Sequence, residues 1–438
     1  MRIKSFFEKS GTPVVLALEL LIATTCLISN IKTVNGAPRA LYVSPNGSDS
    51  NPGTIDRPFL TAQHGYDSMA CGDTLYLRAG TYNGGIGGTY GRNPFCNSWT
   101  SPLTIQNYQG ETVILTNTYQ QVIMGFATDI YPSSRDMYMI LKGVIFDAAT
   151  GAVGASGCVD GLNVDHVRFI DVECKNAQRA GITPHGAYWE FINVNAHHNG
   201  LDKSPTHARS HGIYLTGGHC LIEGGRFWDN GGYGIQIFDS GSSTNSYNIV
   251  RNALIYDNNL NTDTSDPLQG VGGGGMVLAN GTGNIAYNNV LWHNGQINIQ
   301  VNPTCVSCGV YNNTQTQGLV GLMLAGSVNA VVTNNIFYGN ANGDIVDNGI
   351  GSKFSNNLTN NPMFTDLNGR DLTLRPGSPA IDAGVDLSSI FNSDFSGGLR
   401  PNGAAFDIGA FESGTITVLR VNSDADSPKI TISLSPHH

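Results

Sequence analysis

GGRFWDNGGYGIQI (Gly224–Ile237) reads as two short apolar runs joined by Asp-Asn-Gly-Gly, and four further stretches can be laid over it with the same punctuation. These are NVNAHHNG…HGIYL (Asn193–Leu215), NALIYDNN…GMVL (Asn252–Leu278), NNVLWHNGQINI (Asn288–Ile299) and NNIFYGNANGDI (Asn334–Ile345). Self-similarity at roughly two dozen residues marks a stacked solenoid, in which each turn buries its apolar face only against its neighbours. The runs are too short for helices and rich in Val, Ile, Tyr, Phe and Trp, with Gly and Asn at their ends. Each therefore predicts a short strand that stops at a tight corner.

Asn recurs at the corner as Asn176, Asn199, Asn230, Asn258, Asn294 and Asn340, and six residues earlier as Asn193, Asn252, Asn288, Asn312 and Asn334. Asn tolerates left-handed backbone angles, and its amide can bond a like residue stacked above it, which suits strands about 4.8 Å apart. The competing reading is a loop-rich β-sandwich, which would need the shared register of all these copies to arise by chance.

The 438 residues carry no Pro- or Ser-rich linker before the C-terminal region, so we expect one elongated domain. Residues 1–36 are expected to be an export signal: Arg2, Lys4 and Lys9 precede an apolar stretch from Val14 to Ile28, and Val34-Asn35-Gly36 supplies small residues before a cut. Glu19 interrupts that stretch, which is short for a membrane span, and no second stretch approaches membrane length. Without residues 1–36 the formal charge moves from −10 to −12, which argues against a nucleic-acid partner. Such a surface also repels an acidic polysaccharide unless a cation or a local Lys/Arg cluster intervenes. Beyond Cys26, seven cysteines remain. In an exported chain we expect disulfides, Cys71 with Cys96 and Cys305 with Cys308, and at least one free thiol; a zinc site at Cys305 and Cys308 lacks a second ligand pair.

Two end segments bring in a family. YVSPNGSDSNPGTIDRPFLTAQHGYDSMACGDTLYLRAGTY (Tyr42–Tyr82), followed by SPLTIQNYQGETVIL (Ser101–Leu115), resembles the opening of secreted right-handed parallel β-helix proteins of the pectate-lyase-like superfamily. NPMFTD…DLTLRPGSPAIDAG…GGLRPNGAAFDIGAFE (Asn361–Glu412) is similar to the closing segment of many bacterial surface or secreted β-helix proteins. The resemblance implies an all-β fold, a right-handed single-stranded parallel β-helix over 37–413. A cap and first coils would occupy 40–115, central coils 116–358, a C-terminal cap 359–413, and a tail 414–438. Pro58 to Ala70 would form a capping helix and GDTLYLRAGTY the first strand. Asp382, Gly384, Asp407 and Gly409 read as turn and cap chemistry, not as a catalytic set.

Gap lengths between corner Asn and the following Gly locate the chemistry. Asn176 reaches Gly181 in five residues and Asn230 reaches Gly234 in four, whereas Asn199 needs thirteen to reach Gly212 and Asn258 seventeen to reach Gly275. Two insertions, Leu201–His211 and Asn259–Gly274, thus leave the stack at one corner and are expected to wall a groove. Between them, alternation points Ile235 and Ile237 inward. It points Thr183, His185, His211, Tyr214, Thr216, Tyr233, Gln236 and Phe238 outward, a polar and aromatic strip suited to sugars. His185, Tyr214, Tyr233, Gln236 and Phe238 are the expected substrate contacts; His197 and His198 are weaker candidates.

If the resemblance to polysaccharide lyases extends to activity, the reaction is β-elimination at a uronic acid. A base removes the proton beside a carboxylate that must first be neutralised. Lys203, His207, Arg209 and His211 are the candidates for base and carboxylate clamp, and Asp202, Asp239, Asp263 and Asp266 for Ca²⁺. The partner would be a polysaccharide, acidic in this reading, and the protein a monomer. The alternatives are a glycoside hydrolase, with Asp239 paired to Asp263 or Asp266, and a non-catalytic glycan-binding solenoid. Neither the paired-Arg signature of the main pectate lyases nor a compact Asp cluster is present, so the fold alone does not assign the catalyst.

Overall fold

The computed structural model describes residues 37–87, 95–117, 122–127, 135–149, 157–200, 211–238, 245–260, 273–414, 418–421 and 430–433. The expected signal, residues 1–36, lies outside them. From Ala40 onward the chain winds repeatedly through three parallel sheets. Among the described residues, sheet 1 has twelve strands, from Ala40–Val43 to Lys353–Ser355. Sheet 2 has ten, from Gly80–Asn83 to Ile336–Tyr338, and sheet 3 ten, from Ile86–Gly87 to Ile345–Asp347. Every neighbour within these sheets is parallel and one coil away in the chain. This is the β-helix that the repeat predicts.

The corner between sheets 2 and 3 explains the Asn and Gly punctuation. Asn199, Asn230 and Asn258 each donate from Nδ2 to Oδ1 of the corner Asn on the following rung, at 3.0, 2.9 and 3.0 Å, ending on Asn294. The same oxygens accept the backbone N–H of the preceding rung, so buried amides are satisfied without water. Asn176 is one residue out of step: Ala177 holds the ladder position, its N–H donating to Asn199 Oδ1, while Asn176 has φ 64° and donates to Asp147. A second ladder, Asn289–Asn313–Asn335–Asn357, runs at the corner between sheets 1 and 2. There the residues one place earlier, Asn288, Asn312 and Asn334, take the left-handed angles.

The first coil is closed by a short helix, Ala62–Asp67, capped by the Thr61 hydroxyl accepting from the His64 N–H at 3.2 Å. The first strand is Ala40–Val43, and GDTLYLRAGTY supplies two strands, Thr74–Leu77 in sheet 1 and Gly80–Asn83 in sheet 2. Arg78 and Ala79 turn the corner between them, with Gly80 at φ 141°.

The closing segment lies along the outer flank. Phe364, Leu372, Ala380, Ile408, Ala410 and Phe411 cover Trp228, Tyr256 and Trp292 on sheet 2. Asp407 and Asp382 do turn chemistry: Asp407 accepts the Asp382 N–H, and Asp382 accepts the Ala405 N–H. Among the described residues there are three disulfides, Cys71–Cys96, Cys305–Cys308 and the unexpected Cys158–Cys174, and Cys220 is a buried free thiol. No helix among the described residues is long and apolar enough to cross a membrane.

Candidate functional site

Sheet 3 carries the strip. Its central strands are Val159–Leu162, Ile182–His185, Ile213–Leu215, Tyr233–Ile237, Gly274–Leu278 and Ile297–Val301. Ile235 and Ile237 are fully buried, so alternation sends Gln236 to the outside. Register then defines one outer column: Gly125, Asp160, Thr183, Tyr214, Gln236, Val277, Gln300 and Met323. Beside it, two residues further along each strand, runs a second: Leu162, His185, Thr216 and Phe238.

The side chains of this face are cross-linked from rung to rung. The Tyr233 hydroxyl donates to Gln300 Oε1, and its ring packs with Val277, Ala279 and Phe238. His211 is buried at the rim, 2% exposed, rather than outward; its ring meets Tyr214 and Tyr233 at 5.6 and 5.7 Å. Its Nδ1 accepts the Tyr233 N–H at 2.9 Å, which places the proton of the neutral ring on Nε2. His185 Nδ1 meets Thr216 Oγ1 at 2.7 Å, and its Nε2 faces Asp160 Oδ1 at 3.9 Å. Burial raises the Asp160 carboxyl, against the pull of His185.

Lys203, His207, Arg209, Asp202, Asp239, Asp263 and Asp266 lie outside the described residues. Both insertions that contain most of them start from sheet 2 and end in sheet 3, after Asn195–His197 and after Leu254–Tyr256. His197 and His198 belong to sheet 2, not to this face. His197 is buried against Trp228, ring to ring at 3.9 Å, and shares a hydrogen bond between the two Nδ1 atoms with His198 at 2.7 Å. Its Nε2 lies 3.4 Å from Glu173, which also takes Lys175 Nζ at 2.8 Å.

Ca²⁺ calls for six to eight oxygen ligands with several carboxylates. The described part of the sheet 3 face offers Asp160 as its carboxylate, and no group of three His, Cys, Asp or Glu among the described residues has metal-binding geometry. The described residues therefore do not form a Ca²⁺ cage. Asp160 itself went unnoticed in the sequence; its signal would have been the outward position in VDGL once that strand is aligned with Ile182–His185.

Residues 41–318 match the family model described as the Pel9A-like right-handed β-helix region. The chain belongs to this family. Over 82 residues it is 37% identical to pectate lyase PEL9 of Emericella nidulans, covering 17% of this chain and 18% of that protein. Over 84 residues it is 39% identical to the uncharacterized protein YwoF of Bacillus subtilis strain 168, covering 18% of this chain and 16% of that one. The chain thus spans less than a fifth of these curated relatives. In architecture the crystal structure of pectate lyase Pel9A is similar at a TM-score of 0.64 and 19% identity, covering 88% of this chain and 98% of the other. A rhamnogalacturonan lyase follows at 0.54 and 15%, covering 86% and 96%. These Pel9A-like coils share the fold.

Proposed function

We propose that this chain is a secreted polysaccharide lyase that cleaves a uronate-containing polysaccharide by β-elimination on the outer face of sheet 3. The carrying observation is the outer column Tyr214, Gln236 and Gln300, with His185 in the column beside it and the Tyr233 hydroxyl donating to Gln300, on strands that start at the corner from which both long insertions leave. Amides and imidazoles suit sugar hydroxyls, and tyrosine rings suit sugar faces. Lys203, His207, Arg209 and His211 would serve as base and clamp for the substrate carboxylate. Family membership and the lyase names among its relatives support the reaction class. Three disulfides support export, and the closing segment with SPAIDAG and DIGAFE supports a bacterial-type surface or secreted protein, which we expect to be monomeric. Ca²⁺ held by Asp202, Asp239, Asp263 and Asp266 remains part of the proposal, with no step assigned to it.

The test is incubation with a panel of polyuronates. A lyase yields unsaturated products that absorb near-ultraviolet light, and Ala at Lys203, Arg209 or His211 should abolish them in a folded protein. New reducing ends without that absorbance would replace the lyase by a hydrolase. Activity unchanged in excess EDTA would remove Ca²⁺.

One observation favours a second reading, a glycan binder without turnover. The middle of the outer column, Gln236–Val277–Gln300–Met323, is uncharged. Retention in an affinity gel without any product is its signature.

A further inference from the structure

Where the chain enters sheet 1, successive rungs carry Tyr138, His166, Tyr188, His219 and Tyr247. Each stands two places before the in-register column Ile140, Arg168, Glu190, Leu221 and Ile249. Their rings stack from rung to rung at 4.4, 4.7, 5.1 and 5.2 Å, with interplanar angles of 19°, 11°, 13° and 26°. All five have left-handed backbone angles, φ 46°, 61°, 59°, 57° and 59°. The following rungs turn the same corner with Gly283, Ser307, Asn329 and Gly351, at φ 67°, 52°, 53° and 69°. The corner thus needs only small residues. Bulky rings at such angles strain the backbone about as much as one stacked pair stabilises it, so the fold gains little from a row of five.

The row is also open to solvent. Tyr188, with a ring on both faces, is 44% exposed, and Tyr247 is 54% exposed. Among the described residues no ring stacks on the far face of Tyr247. Gly283 follows there without a side chain, and a Cβ built on it would meet only the Tyr247 ring, at 2.9 and 3.0 Å.

We infer that this ladder is a second glycan-binding surface, which holds a linear polysaccharide along the coil with one sugar ring stacked on Tyr247. The inference rests on the polysaccharide reading above and adds a surface outside the sheet 3 columns. A sugar offers C–H groups to the electron-rich face of a tyrosine, and hydroxyls to the phenol and imidazole edges of the row. One ring on each of five rungs fits a polymer better than a single small ligand. Single-stranded nucleic acid also stacks on aromatic rows, but its binders pair them with a basic groove, whereas this chain has a formal charge of −10 and Asp136 stands 2.9 Å from His166. Tyr188 and His219 come three residues after His185 and Thr216 of the sheet 3 face, so a chain held on the ladder lies along the border of that face.

The experiment is affinity electrophoresis of the full chain in gels containing polygalacturonate, with a thymidine oligonucleotide in parallel gels and near-ultraviolet product formation assayed separately. Tyr247→Ala should weaken retention about tenfold, and Tyr247→Phe, which keeps the ring face, by less than about twofold. Tyr188→Phe keeps the stack but removes an exposed hydroxyl, and should weaken retention about threefold. Tyr42→Ala, which breaks the separate Tyr42–Tyr76 stack, should be retained like the wild type. Wild-type retention in Tyr247→Ala, a wild type that polygalacturonate does not retain, or retention by the oligonucleotide alone each overturns the inference. Unsaturated product from a wild type whose retention ignores Tyr247 leaves the lyase reading standing without the ladder. Retention that depends on Tyr247 with no unsaturated product on any polyuronate keeps the ladder and removes the lyase.

Discussion

Gly234 lies against the side-chain amide of Asn258 on the following rung: a Cβ at Gly234 would stand 2.9 Å from Nδ2. Gly181, Gly212 and Gly275 meet Asn199, Asn230 and Asn294 in the same way, at 2.8, 3.0 and 3.1 Å. The recurrent Asn and the recurrent Gly are therefore two halves of one device, the amide ladder and the space it needs. Gly234→Ala should destabilise by about 1–3 kcal/mol through overpacking. Asn258→Ala should cost at least as much, because it strands the Asn230 amide. The urea unfolding midpoint reads both, and an unchanged midpoint in Gly234→Ala would refute the packing argument.

Arg400 fastens the closing segment to the coil. It pairs with Glu412 at 2.5 Å, with both side chains almost fully buried, and donates to the Gly409 carbonyl and to Asn288 Oδ1 at 2.7 and 3.2 Å. Arg400→Ala leaves a buried carboxylate uncompensated and should cost about 3–5 kcal/mol. Adding Glu412→Ala should recover part of that loss. A double variant as unstable as the additive expectation would show that the pair does not couple.

Stability should fall with pH in two windows, both set on sheet 2. His197 and Lys175 hold the Glu173 carboxyl down at about 2, and burial pushes the His197 imidazole below its ordinary value. Unfolded, the two groups titrate near their ordinary values of about 4.3 and 6.5. Below about pH 6.5 the unfolded chain binds a proton that folded His197 refuses, and below about pH 4.3 it binds one that folded Glu173 refuses. The unfolded state holds more protons in both ranges, so each descent costs stability, on the order of 2 kcal/mol for Glu173 after allowing for its partial exposure. Unfolding midpoints from pH 8 to 3 should decline in two steps; His197→Gln should erase the upper step and Glu173→Gln the lower. A flat profile would contradict the assignment.

Tyr233→Phe removes the hydroxyl that donates to Gln300 Oε1 while keeping the ring against Val277 and Phe238. One neutral hydrogen bond is worth about 1 kcal/mol, so thermal stability should fall slightly and glycan retention by roughly fivefold. Retention equal to the wild type would take Tyr233 and Gln300 out of the binding surface.

Much of the architecture was legible because its rules are local. Alternation around Ile235 and Ile237, the corner Asn with its Gly, and the length of the gaps after Asn199 and Asn258 each depend on a few consecutive residues. The Cys71–Cys96 and Cys305–Cys308 bridges expected of an exported chain are both formed. Cys158–Cys174 was not expected, although the two are also consecutive cysteines, since it joins positions that face each other only once the coil is closed.

By itself the sequence determined the coil, its period, the corner that releases both insertions, and the strip of Tyr, His and Gln between them. Tertiary structure alone decided that His211 is buried, that His197 serves sheet 2, and that Asp160 faces His185. The reason is register. Side chains that meet on the outer face are rung neighbours, such as Asp160 with His185 and His185 with Thr216. They are separated in the chain by whole coils of unequal length, and only the stacking of the coils settles which residues become neighbours.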